Sequence, residues 1–129
     1  MMVRRTILEL ERFDEAIRFY EQSLVVDREL GNRYGECISL NGMADVYLQT
    51  GDFDKAGAIA TQALTIARSV PTREEEADAL WSLARALAGA GEIERACGFA
   101  HQAEDLLREI GDPLAEIVRV GRMAWGCPN

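Results

Sequence analysis

Apolar residues recur along the chain at three- and four-residue intervals, interrupted by short polar or glycine-bearing gaps. In the middle stretch, Leu40, Met43, Ala44 and Tyr47 mark one apolar face, the spacing of a helix that buries one side. Gly51-Asp52 then breaks the pattern: glycine takes the left-handed conformation that ends a helix, and aspartate caps the next one. Phe53, Ala56, Ala60, Ala63, Leu64 and Ala67 predict a second helix, which Pro71 stops by withholding a backbone donor. The same text follows once more. Leu80, Leu83, Ala84 and Leu87 lead to Gly91-Glu92, then Ile93, Ala96, Ala100 and Ala103, with an exit at Gly111-Asp112-Pro113. No stretch alternates at two-residue spacing, so the pattern predicts an all-helical chain.

The period is forty residues. Phe13, Phe53 and Ile93 are spaced by it, as are Ala16, Ala56 and Ala96, and Gln22, Gln62 and Gln102. Leu40, Leu80 and Val120 repeat likewise, with Met43, Leu83 and Met123, Ala44, Ala84 and Ala124, and Glu36, Glu76 and Glu116. The expected architecture is a single domain with units at 1–32, 33–72 and 73–112 and a partial fourth helix at 113–125. Small residues such as Ala44, Ala56, Ala84 and Ala96 stand where paired helices approach most closely, and larger ones such as Tyr47 and Phe53 fill the gaps beside them. One hairpin cannot bury its apolar face alone, so successive units stack.

The motif Leu40-x2-Met43-Ala44-x2-Tyr47, Gly51-Asp52-Phe53-x2-Ala56, Ala63 and Pro71 resembles the tetratricopeptide repeat (TPR) consensus. The third unit matches as Leu80, Leu83, Ala84, Leu87, Gly91 and Ala96, while the late aromatic position is Tyr20 at first but Ala60 and Ala100 afterwards. The long period is similar to the extended repeats of kinesin light chains and of large bacterial ATPase-type regulators. That resemblance covers nearly the whole chain. It implies an all-α, right-handed superhelical stack of antiparallel hairpins, and a scaffold that binds proteins or peptides.

The ends depart from the pattern. The chain starts midway through one helix and finishes midway through another, so the stack reads as open at both ends. Glu11-Arg12 occupies the slot of Gly51-Asp52, lacking both the helix-ending glycine and the cap. Val3, Ile7, Leu10, Phe13, Ile17, Tyr20 and Leu24 meanwhile run on at helical spacing. One helix from about Val3 to Leu30 and a hairpin are both compatible with these residues. Val3, Ile7 and Leu10 at one end, and Val118 and Trp125 at the other, are candidates for self-association into a homodimer, by exchange of the N-terminal helix.

Charge and composition narrow the partners. The 129 residues carry 14 basic and 22 acidic side chains, a formal net charge of −8, which argues against nucleic acid and anionic membranes. Hydrophobic residues at 48% exclude intrinsic disorder, and no apolar run is long enough to span a bilayer. Lys55 is the only lysine beside many arginines and alanines, as in a GC-rich genome. Cys37, Cys97 and Cys127 lie far apart without a C-x-x-C pair, which reads as incidental thiols of a reducing, cytoplasmic setting with no metal site.

Catalytic chemistry finds little support. His101 is the only histidine, and its repeat counterparts are Glu21 and Thr61, which assigns it to a solvated face. Gly89-Ala90-Gly91 follows a helix and lacks a Gly-Lys-Ser/Thr ending, so it reads as a turn rather than a phosphate loop. Glu74-Glu75-Glu76 opens a helix, where carboxylates complement the helix dipole. No cofactor is expected. The resemblance implies that the first helix of each unit lines a concave groove, which nominates Ile38, Asn41, Asp45, Gln49, Asp78, Trp81 and Arg85, with Arg5 and Arg122 from the flanking units. Trp81 and Arg85 are neighbours four apart and of hot-spot type; the other reading of Trp81 is packing on the adjacent unit. Asp45 and Asp78 distinguish this groove from one that clamps a C-terminal carboxylate, and favour an Arg-bearing or mixed-charge peptide or a partner helix.

Overall fold

The structure is a computed structural model that describes residues 7–128. Six helices follow one another: α1 (Ile7–Leu30), α2 (Arg33–Thr50), α3 (Phe53–Ser69), α4 (Arg73–Gly89), α5 (Ile93–Glu109) and α6 (Leu114–Ala124). No strand occurs among the described residues. Each helix packs on its neighbour in sequence, and α2 also touches α4. Two hairpins, α2–α3 and α4–α5, therefore stack as an all-α solenoid between α1 and α6.

The turns obey one rule at half the sequence period. Backbone N–H groups of Asn32, Asp52, Thr72, Glu92 and Asp112 each donate to a carbonyl five residues back, on Asp27, Tyr47, Ala67, Leu87 and Leu107, at 2.7–3.2 Å. This closure satisfies a carbonyl that the end of a helix leaves free. It requires a left-handed residue in most of the turns, and Gly31, Gly51, Gly91 and Gly111 supply it, with φ from 68° to 87°. Pro71 stands at the corresponding place in the remaining turn. Asn32 and Asp52 then accept from the N–H of Gly35 and Lys55, capping α2 and α3.

Between residues 7 and 30 the chain is one helix: Glu11-Arg12 passes through α1 without a break. Without a left-handed glycine or a cap, nothing there ends the helical ladder. The core is built mostly of alanine, with Ala44, Ala56, Ala60, Ala63, Ala67, Ala84, Ala96, Ala100 and Ala103 all fully buried at the helix contacts. Leu40, Leu80, Leu107 and Val118 are the largest side chains fully enclosed. The recurring glutamates cross-link successive units. Arg28 pairs with Glu36 at 3.0 Å and Arg68 with Glu76 at 3.1 Å, each across the turn into the next unit, and Arg108 lies 3.9 Å from Glu116.

Aromatic rings rest on bare helix backbone between elements. The Tyr20 ring of α1 lies against Gly42, the Phe53 ring of α3 against Gly89, and Trp81 of α4 against Gly121 of α6. A methyl group at any of these glycines would overlap the ring; at Gly121 it would come within 2.7 Å of Trp81.

A disulfide fastens the C-terminal end to α5. Cys97 of α5 and Cys127 form a disulfide, which corrects the reading of three free thiols and removes the thiol argument for a reducing compartment. Cys37 alone is free, fully buried, with its Sγ 3.4 Å from the carbonyl of Ala63. Burial, together with Glu75, Asp78 and Glu36, pushes its thiol up to about 11. His101 is not simply solvated: its Nε2 lies 2.9 Å from the Pro128 carbonyl, which only accepts, so this nitrogen carries the proton. Arg122 of α6 and Glu104 of α5 form an ion pair buried on both sides.

Candidate functional site

Helices α2 and α4 lie side by side, and their shared face carries a polar groove of about 340 Å³. Ile38, Asn41, Gly42 and Asp45 come from α2; Glu75, Asp78, Ser82 and Arg85 come from α4; Tyr20 of α1 closes one side. The helical period explains the lining. Glu75, Asp78, Ser82 and Arg85 follow three- and four-residue steps, and Ile38, Gly42 and Asp45 are the forty-residue counterparts of Asp78, Ser82 and Arg85.

Five of the residues nominated from the sequence therefore meet: Ile38, Asn41, Asp45, Asp78 and Arg85. Gln49 stands at the margin, one turn beyond, where its Nε2 donates to Asp45 Oδ2 at 2.8 Å. Asn41 is only 7% exposed, and its Nδ2 donates to both the backbone carbonyl and the carboxylate of Glu75, at 3.1 and 3.0 Å. Its Oδ1 is buried without a hydrogen-bond partner. Arg85 reaches Asp45 at 3.7 Å and Ser82 Oγ at 3.4 Å, while its Nε is also buried and unpartnered.

Electrostatically the groove is strained. Burial, and then the neighbouring Glu75, raise the Asp78 carboxyl above its ordinary range, an effect that Arg85 opposes and Asp45 reinforces. Burial likewise lowers Arg85, against the pull of Asp45 and Asp78. Three carboxylates face one guanidinium.

Trp81 and Arg122 belong elsewhere, correcting their assignment to the groove. Trp81 is 9% exposed and occupies the counterpart of Asn41, a position facing the next unit's first helix rather than open solvent. There it contacts Gly121 and stacks on Trp125, with ring centroids 5.4 Å apart. Arg85 lies over its ring at 5.4 Å, so Trp81 supports the groove from behind. Arg122 is the counterpart of Gly42 and Ser82, yet its guanidinium turns to Glu104. Val118 is fully enclosed by the chain itself and offers nothing to a second copy, and Trp125 is half-buried on Trp81. Leu10 is exposed beside Phe13, Ile17, Val46 and Tyr47. Arg5 and Val3 lie outside the described residues, as does the side chain of Ile7.

Sequence reasoning missed Glu75, Ser82, Gly42 and Tyr20. Glu75 was hidden within an acidic run explained by the helix dipole, although its three-residue step to Asp78 is a usable signal. Tyr20 had none, because only packing brings α1 to the groove.

No described helix is long and apolar enough to cross a membrane, and no described residues gather His, Cys, Asp or Glu into a metal-holding group. The fold is that of a helical-repeat protein, with the polar groove on the face that α2 and α4 share. The family model described as tetratricopeptide repeat matches residues 5–69 and 35–109. The chain belongs to the tetratricopeptide repeat family, whose members are generally protein–protein interaction modules and typically non-catalytic. A search of curated proteins found no match.

Proposed function

We propose that this chain is a non-catalytic interaction module that receives a peptide or a partner helix along the α2–α4 face, as part of a regulator or scaffold. The observation that carries this reading is the convergence of Ile38, Asn41, Asp45, Asp78 and Arg85 on one groove. Helices of 17 and 18 residues with two- to three-residue connections support the extended repeat subtype similar to that of kinesin light chains and bacterial ATPase-type regulators. The net charge of −8 argues for a protein partner over nucleic acid or anionic lipid. A photo-crosslinking residue at exposed Ile38, introduced into the chain in its native cells, should capture a defined protein. The same residue at exposed Glu109, on α5, should not. Equal capture at both positions would refute the groove assignment.

Self-association is the second reading, on a different surface from that expected. Phe19, Val26 and Leu30 form an exposed apolar stripe on α1, and Ile117 and Val120 another on α6. Light scattering should then show a dimer that Phe19→Asp or Val120→Asp dissociates; a monomer at high concentration rejects it.

A further inference from the structure

We infer that the α2–α4 groove is the seat of one basic side chain, a lysine or arginine carried by a segment of a partner protein. This rests on the reading of that face as a docking surface and names the chemistry that it selects.

Asp45, Glu75 and Asp78 line the groove with Arg85 as the single cation. Arg85 is spread thinly: it stands 3.7 Å from Asp45, shares a 3.4 Å contact with Ser82, and is drawn back over the Trp81 ring. It compensates one carboxylate and leaves two. The upward shift of Asp78 has burial and the Glu75 charge as its main causes, so the groove already resists its own negative charge.

The Asn41 amide bears on the polarity of the guest. Both amide hydrogens of Asn41 are committed to Glu75, which sets the orientation of the amide and leaves Oδ1 as a buried acceptor without a donor. A buried acceptor left unpaired is destabilising. A donor seated in the groove would pair with it; the other unpartnered atom there, Arg85 Nε, is itself a donor and belongs to the guanidinium that lies over the Trp81 ring. Lysine and arginine heads donate and never accept, and at neutral pH they also bring the positive charge that the carboxylates lack. A neutral amide would satisfy Asn41 but leave the charge uncompensated, and an acidic side chain would meet three carboxylates. Size agrees: about 340 Å³ lies at the small end of ligand pockets, which run from roughly 300 to 1,000 Å³, and suits one long side chain rather than a folded segment. Exposed Ile38 at the rim gives the aliphatic stem of such a side chain an apolar rest.

The test uses arrays of N-acetylated, C-amidated peptides of random sequence, probed with the full chain. Bound peptides should share a lysine or arginine at one fixed position. Replacing it by acetyl-lysine or norleucine should weaken binding at least about tenfold, the loss of one charge-assisted contact. The Asp45→Asn/Asp78→Asn variant should lose that preference while melting at the wild-type temperature. Asp78→Asn alone serves if the double variant is less stable. Peptides bound with no basic preference would overturn the seat and leave the docking face standing. A chain that binds no peptide and cross-links no protein overturns both. A basic preference that survives both variants assigns the cation to another surface and overturns this one.

Discussion

Reduction of the Cys97–Cys127 bond should loosen one end of the molecule and leave the other intact. The bond closes a loop of 30 residues containing most of α5 and all of α6. Loop-closure entropy for that length is about 12 cal/mol/K, or about 3.6 kcal/mol at 25 °C. For a domain of this size each kcal/mol corresponds to roughly 3–4 °C, so a cooperative melt should fall by about 10–14 °C on reduction. In a stack whose units touch only their neighbours, the loss should concentrate on α5 and α6. Thermal melts followed by circular dichroism, with and without a phosphine reductant, give the magnitude, and amide hydrogen exchange gives the location. Thiol counting provides the control. Denatured without reductant, the chain should take up one alkyl group, on Cys37, and after reduction three. A melting temperature unmoved within about 1 °C, with all three thiols alkylated after reduction, would refute the entropy argument. Three thiols alkylated without reductant would refute the disulfide itself.

Other expectations follow from the same packing. Arg122→Ala should cost about 1–3 kcal/mol in urea melts, because the buried Glu104 carboxylate keeps only its Arg108 partner. Burial pushes the Glu104 carboxyl up, but hydrogen bonds from Arg122 and Arg108 outweigh that and hold it below its ordinary range. Its contribution to stability is therefore complete above the unfolded value and lost as pH falls through the folded one, a loss that urea titrations near pH 3 should show and Glu104→Gln should abolish. Gly42→Ala should destabilise by about 1–3 kcal/mol in denaturant melts although alanine favours helix, since the added methyl meets the Tyr20 ring. Trp81→Ala should lower stability by about 3–5 kcal/mol, measured the same way, rather than act as a simple binding mutation. Cys37 should resist thiol reagents at pH 8 in the folded chain, as a fully buried thiol raised to about 11 carries little thiolate.

The repeat, the helices and the family were all legible in the sequence, because each rests on local chemistry. Glycine or proline at the turns, caps beside them and alanines at close approaches repeat at a fixed spacing, and spacing survives without coordinates. Half of the groove was legible for the same reason: a helical step of three or four places Ile38, Asn41 and Asp45 on one side of α2. What local pattern cannot decide is which neighbour each side faces. Asn41 and Trp81 hold the same place in successive units, yet one floors a groove beside α4 and the other is sealed by Gly121 and Trp125 of the C-terminal end. Arg122 is on a first helix as Ser82 is, but a buried carboxylate on α5 captures it. Cys97 and Cys127 become partners only because α6 folds back against α5. Periodicity determined the units and their faces. Distance between residues remote in sequence, which only packing sets, decided the disulfide, the buried ion pair and the walls of the groove.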